Sequence, residues 1–312
     1  MALLEIADQA LIDPARGRKV LTRVYAPAEP GRYPTIVFSH GFSSDLGSFG
    51  NTARRWAEHG YLVLHPTHAD SLAYPDAIVD PREADIVRRV VTGRATGIDA
   101  ETARAFVGVL DNPFYLEHRL ADVAFLLRSL RDRNLLDERV VTRVDMSRLG
   151  MAGHSYGAYT TLVVAGAKLE RDSAAAKDPL LKQFKAAIAV SGQGAGRMFL
   201  SDRSFDTINM PLFMITGSND MGAAAETPVW RQQAFRDSPP RFKYSAVLGG
   251  FGHRDFDPPV DDPVRGATAE TLREMQLEFW DAFLRDRAAA RDALAARAAG
   301  AQTGGAIAFE AR

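Results

Sequence analysis

A serine that attacks a carbonyl carbon needs a base for its proton, an acid to orient that base, and donors for the oxyanion that forms. Residues 153–157, Gly-His-Ser-Tyr-Gly, fit the pattern G-x-S-x-G, which holds such a serine on a sharp turn. Alone the pentapeptide is a weak signal, because three fixed residues in five recur by chance. Its surroundings strengthen it. Residues 148–152, Arg-Leu-Gly-Met-Ala, read as the end of a buried strand, and the small-residue run 158–167 reads as a tightly packed helix start. A plain Gly-rich strand-to-helix turn is the alternative.

Two later loops supply partners in the order Ser, Asp, His. The apolar run 211–216 is followed by Gly217-Ser218-Asn219-Asp220, and the run 242–248 by Gly249-Gly250-Phe251-Gly252-His253. Asp220 is the candidate acid. It is set against a role as a helix cap and against the rivals Asp206 and Asp202. His253 is the candidate base, being the one of seven histidines that lies late in the chain, after a strand, in a Gly-rich loop. The oxyanion donors expected are the backbone N–H groups of Tyr156 and of Phe42, the latter in the loop Ser39-His40-Gly41-Phe42 after the strand at 35–40. His40 reads as a structural member of that loop. Gly41, His40 and Phe251 are further candidate pocket residues.

Other charged patterns carry less. His65-x-x-His68 with Asp70 has two ligand types for zinc but no further His or carboxylate at helical spacing, so no metal site is expected. Arg119 and Asp122, three apart on a helix, read as a local pair worth a few tenths of a kcal/mol if exposed.

The elements that must position these residues alternate. Strands are expected at 19–25 (half-exposed, antiparallel), 35–40, 61–64, 184–190, 211–216 and 242–248. Helices are expected at 48–59, 83–94, 100–110, 116–133, 229–236 and 268–284, with the Ala/Arg-rich segment from Arg285 continuing the last or fraying. That order implies an α/β fold with a mostly parallel sheet covered by helices. Residues 1–299 read as one domain, with 67–117 as an irregular helical insertion lining the pocket and 300–312 as a loose tail.

The composition excludes several classes. A net charge of −1 over 312 residues gives no electrostatic reason to expect nucleic acid. With no cysteine there is no disulfide, thiolate metal site or Cys nucleophile. No run approaches the ~20 apolar residues of a membrane span. The N-terminus has neither the basic region nor the apolar stretch of a leader, so the chain reads as cytoplasmic as it stands, or as secreted if a leader was removed. No cofactor is expected, the expected partner is a small-molecule ester, and oligomeric state is left open.

Taken together, residues 38–41 (Phe-Ser-His-Gly), 119–123 (Arg-Leu-Ala-Asp-Val), 153–157, 215–220 (Ile-Thr-Gly-Ser-Asn-Asp) and Gly252-His253 resemble the α/β-hydrolase superfamily. More narrowly, they resemble its dienelactone hydrolase and platelet-activating-factor acetylhydrolase-like serine esterases. The resemblance covers roughly residues 15–285 and implies the α/β-hydrolase fold without a large cap domain. It also implies Ser155, Asp220 and His253 as a triad, with Phe42 and Tyr156 as oxyanion donors. Dienelactone hydrolases proper use a Cys nucleophile, which this chain lacks. The expected activity is hydrolysis of small to medium apolar or aromatic esters. A polyester hydrolase, a peptidase or amidase with the same triad, and an inactive binding protein are the alternatives.

Overall fold

Strands that are apolar on both faces belong in the middle of a parallel sheet, because helices must cover each side. The computed structural model describes residues 1–75, 77–93, 97–133, 136–223, 226–300 and 306–312. Its sheet strands are β1 Leu3–Asp13, β2 Arg18–Pro27, β3 Tyr33–Ser39, β4 Leu62–Pro66, β5 Val144–His154, β6 Phe184–Val190, β7 Leu212–Asn219, β8 Lys243–Gly252 and β9 Ile307–Ala311. They lie in the order β1-β2-β4-β3-β5-β6-β7-β8-β9. From β4 to β8 neighbouring strands are parallel. The antiparallel β1–β2 pair joins at β4, and β9 pairs antiparallel with β8 at the other edge.

The helices are α1 Gly50–Glu58, α2 Pro81–Gly93, α3 Ala100–Leu110, α4 Pro113–Arg131, α5 Glu138–Val141, α6 Tyr156–Val164, α7 Pro228–Arg231, α8 Gln233–Asp237, α9 Gly266–Leu284 and α10 Ala288–Gly300. Successive strand residues point to opposite faces. Val37, Leu62, Leu64 and Met151 therefore pack with residues of α4 and α6. Ile36, Phe38, Val63 and Ala152 pack with those of α1 and α9. Between α1 and α9, Trp56 and Trp280 meet edge to face with centroids 5.5 Å apart. Local chemistry starts the helices near the site. Asp99 caps α3 by accepting from Thr102 N, and Asn112 caps α4 ahead of Pro113 by accepting from Phe114 N.

Several expectations change. The edge strand β1 was not expected. The segment read as a loose tail at 300–312 instead supplies β9, whose Phe309 is buried against Tyr244 and Phe213, while 301–305 lie outside the described residues. The helix expected at 229–236 is two short pieces that meet at Gln232. The segment after Arg285 neither continues α9 nor frays; it forms α10, with Leu294 fully buried. Arg94, the expected last residue of the helix at 83–94, lies outside the described residues.

Candidate active site

The end of β5 and the start of α6 leave Ser155 alone between them, at φ 55° and ψ −117°. A non-glycine residue held there is strained, and such strain persists only where the surroundings impose it. Here they do. A Cβ on Gly157 would lie 1.9 Å from the Ser39 carbonyl oxygen, and one on Gly153 would lie 2.3 Å from the Gly157 oxygen. Only glycines on both sides of the serine allow α6 to pack this close to β3 and β5.

The three loops converge as their order in the chain implies. Ser155 Oγ lies 2.9 Å from His253 Nε2, and His253 Nδ1 lies 2.8 Å from Asp220 Oδ1. Ser155 follows β5, Asp220 follows β7 and His253 follows β8, so all three sit at the carboxyl ends of parallel strands. Asp220 is fully buried, whereas the His253 side chain is 19% exposed. Burial alone would raise the Asp220 pKa; the hydrogen bond from His253 and the charge of Arg231 overcome it and hold the group at about 2. Ser191 Oγ and Thr216 Oγ1 donate to its second oxygen at 2.5 and 2.9 Å. The rivals lie elsewhere: Asp206 is an exposed partner of Arg203, and Asp202 accepts from Gln233.

The expected oxyanion donors flank the serine. Tyr156 is the first residue of α6, so its N–H has no intrahelical acceptor. Among the described residues no backbone acceptor engages the Phe42 N–H. Gly41 lies against Ser155, since a Cβ on it would come within 3.6 Å of Ser155 Cβ.

Ser155, His253, Gly41 and Phe42 open into a cavity of about 1070 Å³. One wall is apolar, built by Val87 and Val90 of α2 and by Phe106 and Leu110 of α3. All four fall on the two helices within the segment at 67–117. They are tied to the main body by Glu83, which accepts hydrogen bonds from Asn112 and Tyr115.

Two candidate pocket residues do not reach this cavity. His40 is buried, its Nδ1 donating to the Gly41 carbonyl at 2.7 Å. Phe251 is carried into the core against Phe256, because β8 runs on to Gly252. The ring of Tyr156 is also buried, edge-on to Phe42 and beneath the guanidinium of Arg119.

The pair read as local is not one. Arg119 and Asp122 are both fully buried, and each has a distant partner: Arg119 pairs with Asp70, and Asp122 with Arg18 and His68. Burial opposes ionisation of Asp70, but Arg119 holds it well below the usual carboxylate range. His65, His68 and Asp70 point into different surroundings. His65 stacks on Phe38, His68 bonds Ser39 and Asp122, and Asp70 bonds Arg119.

Three positioning contacts had no reading in the sequence. His154 Nε2 donates to the His253 carbonyl at 2.8 Å, and burial lowers its pKa to about 3, so the ring stays neutral. Arg231 binds the Asp220 side chain and backbone at 3.0 Å. Arg119 bonds the loop carbonyls of His40 and Gly41. A signal for the last existed: Arg119 and Asp122 fall inside the apolar stripe of α4 formed by Leu116, Leu120, Val123 and Leu126.

No family model and no curated protein sequence matches the chain. Among solved structures, a protein from Klebsiella pneumoniae provisionally assigned as a dienelactone hydrolase matches with a TM-score of 0.56 at 16% identity. The match covers 90% of this chain and 99% of that one. The chain has the α/β-hydrolase fold.

Proposed function

We propose that the protein is a serine carboxylic-ester hydrolase working through an acyl-enzyme on a single α/β-hydrolase domain. The observation that carries this reading is the hydrogen-bonded run Ser155–His253–Asp220, opening onto a cavity beside two backbone N–H groups that find no acceptor among the described residues. His253 Nε2 takes the Ser155 proton as Oγ attacks the ester carbonyl. Asp220 orients the ring through Nδ1 and stabilises the imidazolium. The developing oxyanion is received by the N–H groups of Phe42 and Tyr156. His253 then protonates the departing alcohol, and the same nitrogen activates water to release the acid. Because one wall of the cavity is aliphatic and aromatic, an apolar or aromatic acyl group fits it better than a charged one.

A panel of aryl esters with graded acyl length, run alongside a fluorophosphonate probe mapped to its labelled peptide, tests the reading. Turnover together with modification of Ser155 is expected. A folded chain that neither hydrolyses any ester nor takes the probe would be a binding protein instead.

A further inference from the structure

We propose that Arg119 is a positioning residue for the oxyanion site, fixing and polarising the peptide whose N–H is the Phe42 donor; the proposal rests on the serine-esterase reading above. The guanidinium has five N–H bonds in a rigid planar fork, and here each finds an acceptor. Nε donates to Asp70 Oδ1 at 2.9 Å, and Nη2 donates to Asp70 Oδ2 at 2.6 Å and to the Gly41 carbonyl at 3.1 Å. Nη1 donates to the His40 carbonyl at 2.6 Å and to Ser39 Oγ at 3.1 Å. Arg119 and Asp70 are both fully buried, so no solvent competes for these bonds.

The Gly41 carbonyl and the Phe42 N–H belong to one peptide group. In a trans peptide they point in opposite directions. Pulling the carbonyl toward the buried cation therefore aims the N–H away from it. Gly41 O also accepts from His40 Nδ1 at 2.7 Å and from Ser44 N at 3.2 Å, which fixes the plane from three sides. The next peptide is held too, because Ser43 N donates to Asp70 Oδ2 at 3.0 Å. Phe42 is thus bracketed by one ion pair, while its own N–H is left for a ligand. A cation on the carbonyl also draws electron density from the amide, which strengthens the N–H as a donor. The arrangement pre-organises a dipole for charge that appears only in the transition state.

The test uses Arg119→Lys, which keeps the charge and loses the fork, with folded fraction checked by thermal melting and active sites counted by fluorophosphonate titration. Losing a well-aimed oxyanion donor lowers kcat by about 10²-fold, and KM for a short aryl ester should stay within about threefold of wild type, since ground-state binding is untouched. A thionoester supplies the readout that a merely structural role would not move. Its sulfur is a larger and weaker acceptor, so the ratio of ester to thionoester rates measures how well the donors fit an oxyanion. That ratio should collapse by about tenfold in the variant.

If Arg119→Lys does not fold, Asp70→Asn serves as the second variant. It leaves the bonds from Arg119 to the loop carbonyls but frees its other edge, and a smaller loss in the same two quantities is expected. A variant with an unchanged rate ratio and an unchanged kcat per active site overturns the proposal and leaves the esterase reading intact. A wild-type chain inert toward every ester overturns both.

Discussion

Ser155 and Ser39 each lie 2.9 Å from the Nε2 of a histidine, and each of those histidines reaches an aspartate through Nδ1, at 2.8 Å for His253–Asp220 and 3.1 Å for His68–Asp122. Judged by hydrogen bonds alone, the described residues contain two Ser–His–Asp relays. Their surroundings differ in every respect that matters for attack on a carbonyl. Ser39, His68 and Asp122 are buried, whereas Ser155 and His253 line the cavity. Ser39 closes an ordinary strand, while Ser155 is thrust out at positive φ. Ser39 Oγ also receives a hydrogen bond from Arg119, and burial, aided by the charge of that arginine, lowers the His68 pKa to about 4 and makes that ring a poor base. The comparison teaches that a triad is a relay with access to substrate and free donors beside it. Ser39 and His68 lie off the cavity, packed against the loop that carries Phe42.

The sharpest way to break the comparison is to remove each hydroxyl in turn. Ser155→Ala should lower turnover of a short aryl ester by about 10⁴-fold or more and abolish fluorophosphonate labelling, with the melting temperature little changed. Ser39→Ala leaves an Arg119 N–H and the His68 ring without their partner, so it should cost about 1–3 kcal/mol of stability and still label at Ser155. Labelling lost in Ser39→Ala but kept in Ser155→Ala would invert the assignment.

The aspartates come next. Asp220→Asn should lower kcat by about 10³–10⁴-fold, since the amide favours the wrong tautomer of His253. Asp122→Asn should act on stability instead. It strips the counter-charge from Arg18 in a buried site, where breaking an ion pair costs about 3–5 kcal/mol. Urea unfolding, paired with kcat per titrated active site, separates the two. A large kcat loss in folded Asp122→Asn would show that the buried relay contributes to the chemistry.

The Ser155–His253–Asp220 relay was legible because each member follows an apolar run in the expected order, and runs of that kind survive as strands whatever they pack against. Its buried twin was not. Asp122 meets Arg18 from 104 residues away and Arg119 meets Asp70 from 49 away. Spacing along one helix suggested instead that Arg119 and Asp122 pair with each other. The apolar stripe around them held the better clue, since a charge inside such a stripe must find a buried partner. The edge strands escaped for a related reason. β1 carries charged residues and an irregular register between Ile6 and Gln9, and β9 is five residues long, so neither shows a pattern until its neighbour is known. Phe251 was misplaced because the length of β8, rather than the composition of its loop, decides which way that ring faces.

The last expected effect concerns protons. Folded His68, with its pKa at about 4, stays neutral at pH 5, whereas the unfolded ring protonates below about 6.5. Between those values the unfolded chain binds the extra proton, so stability falls as pH falls through that window. His65 and His154, lowered by burial to about 3, act with the same sign. Asp122 and Asp220, held at about 2, contribute stability above the unfolded carboxylate value of about 3.9 and lose it only below that, outside the window. His68→Gln should therefore reduce the drop in unfolding free energy between pH 7 and 5 by about 2 kcal/mol, whatever it does to stability at pH 7. Denaturant titrations at the two pH values measure that difference directly. An unchanged slope would mean that His68 is already charged in the fold, and the contrast between a neutral structural histidine and a working one would fail.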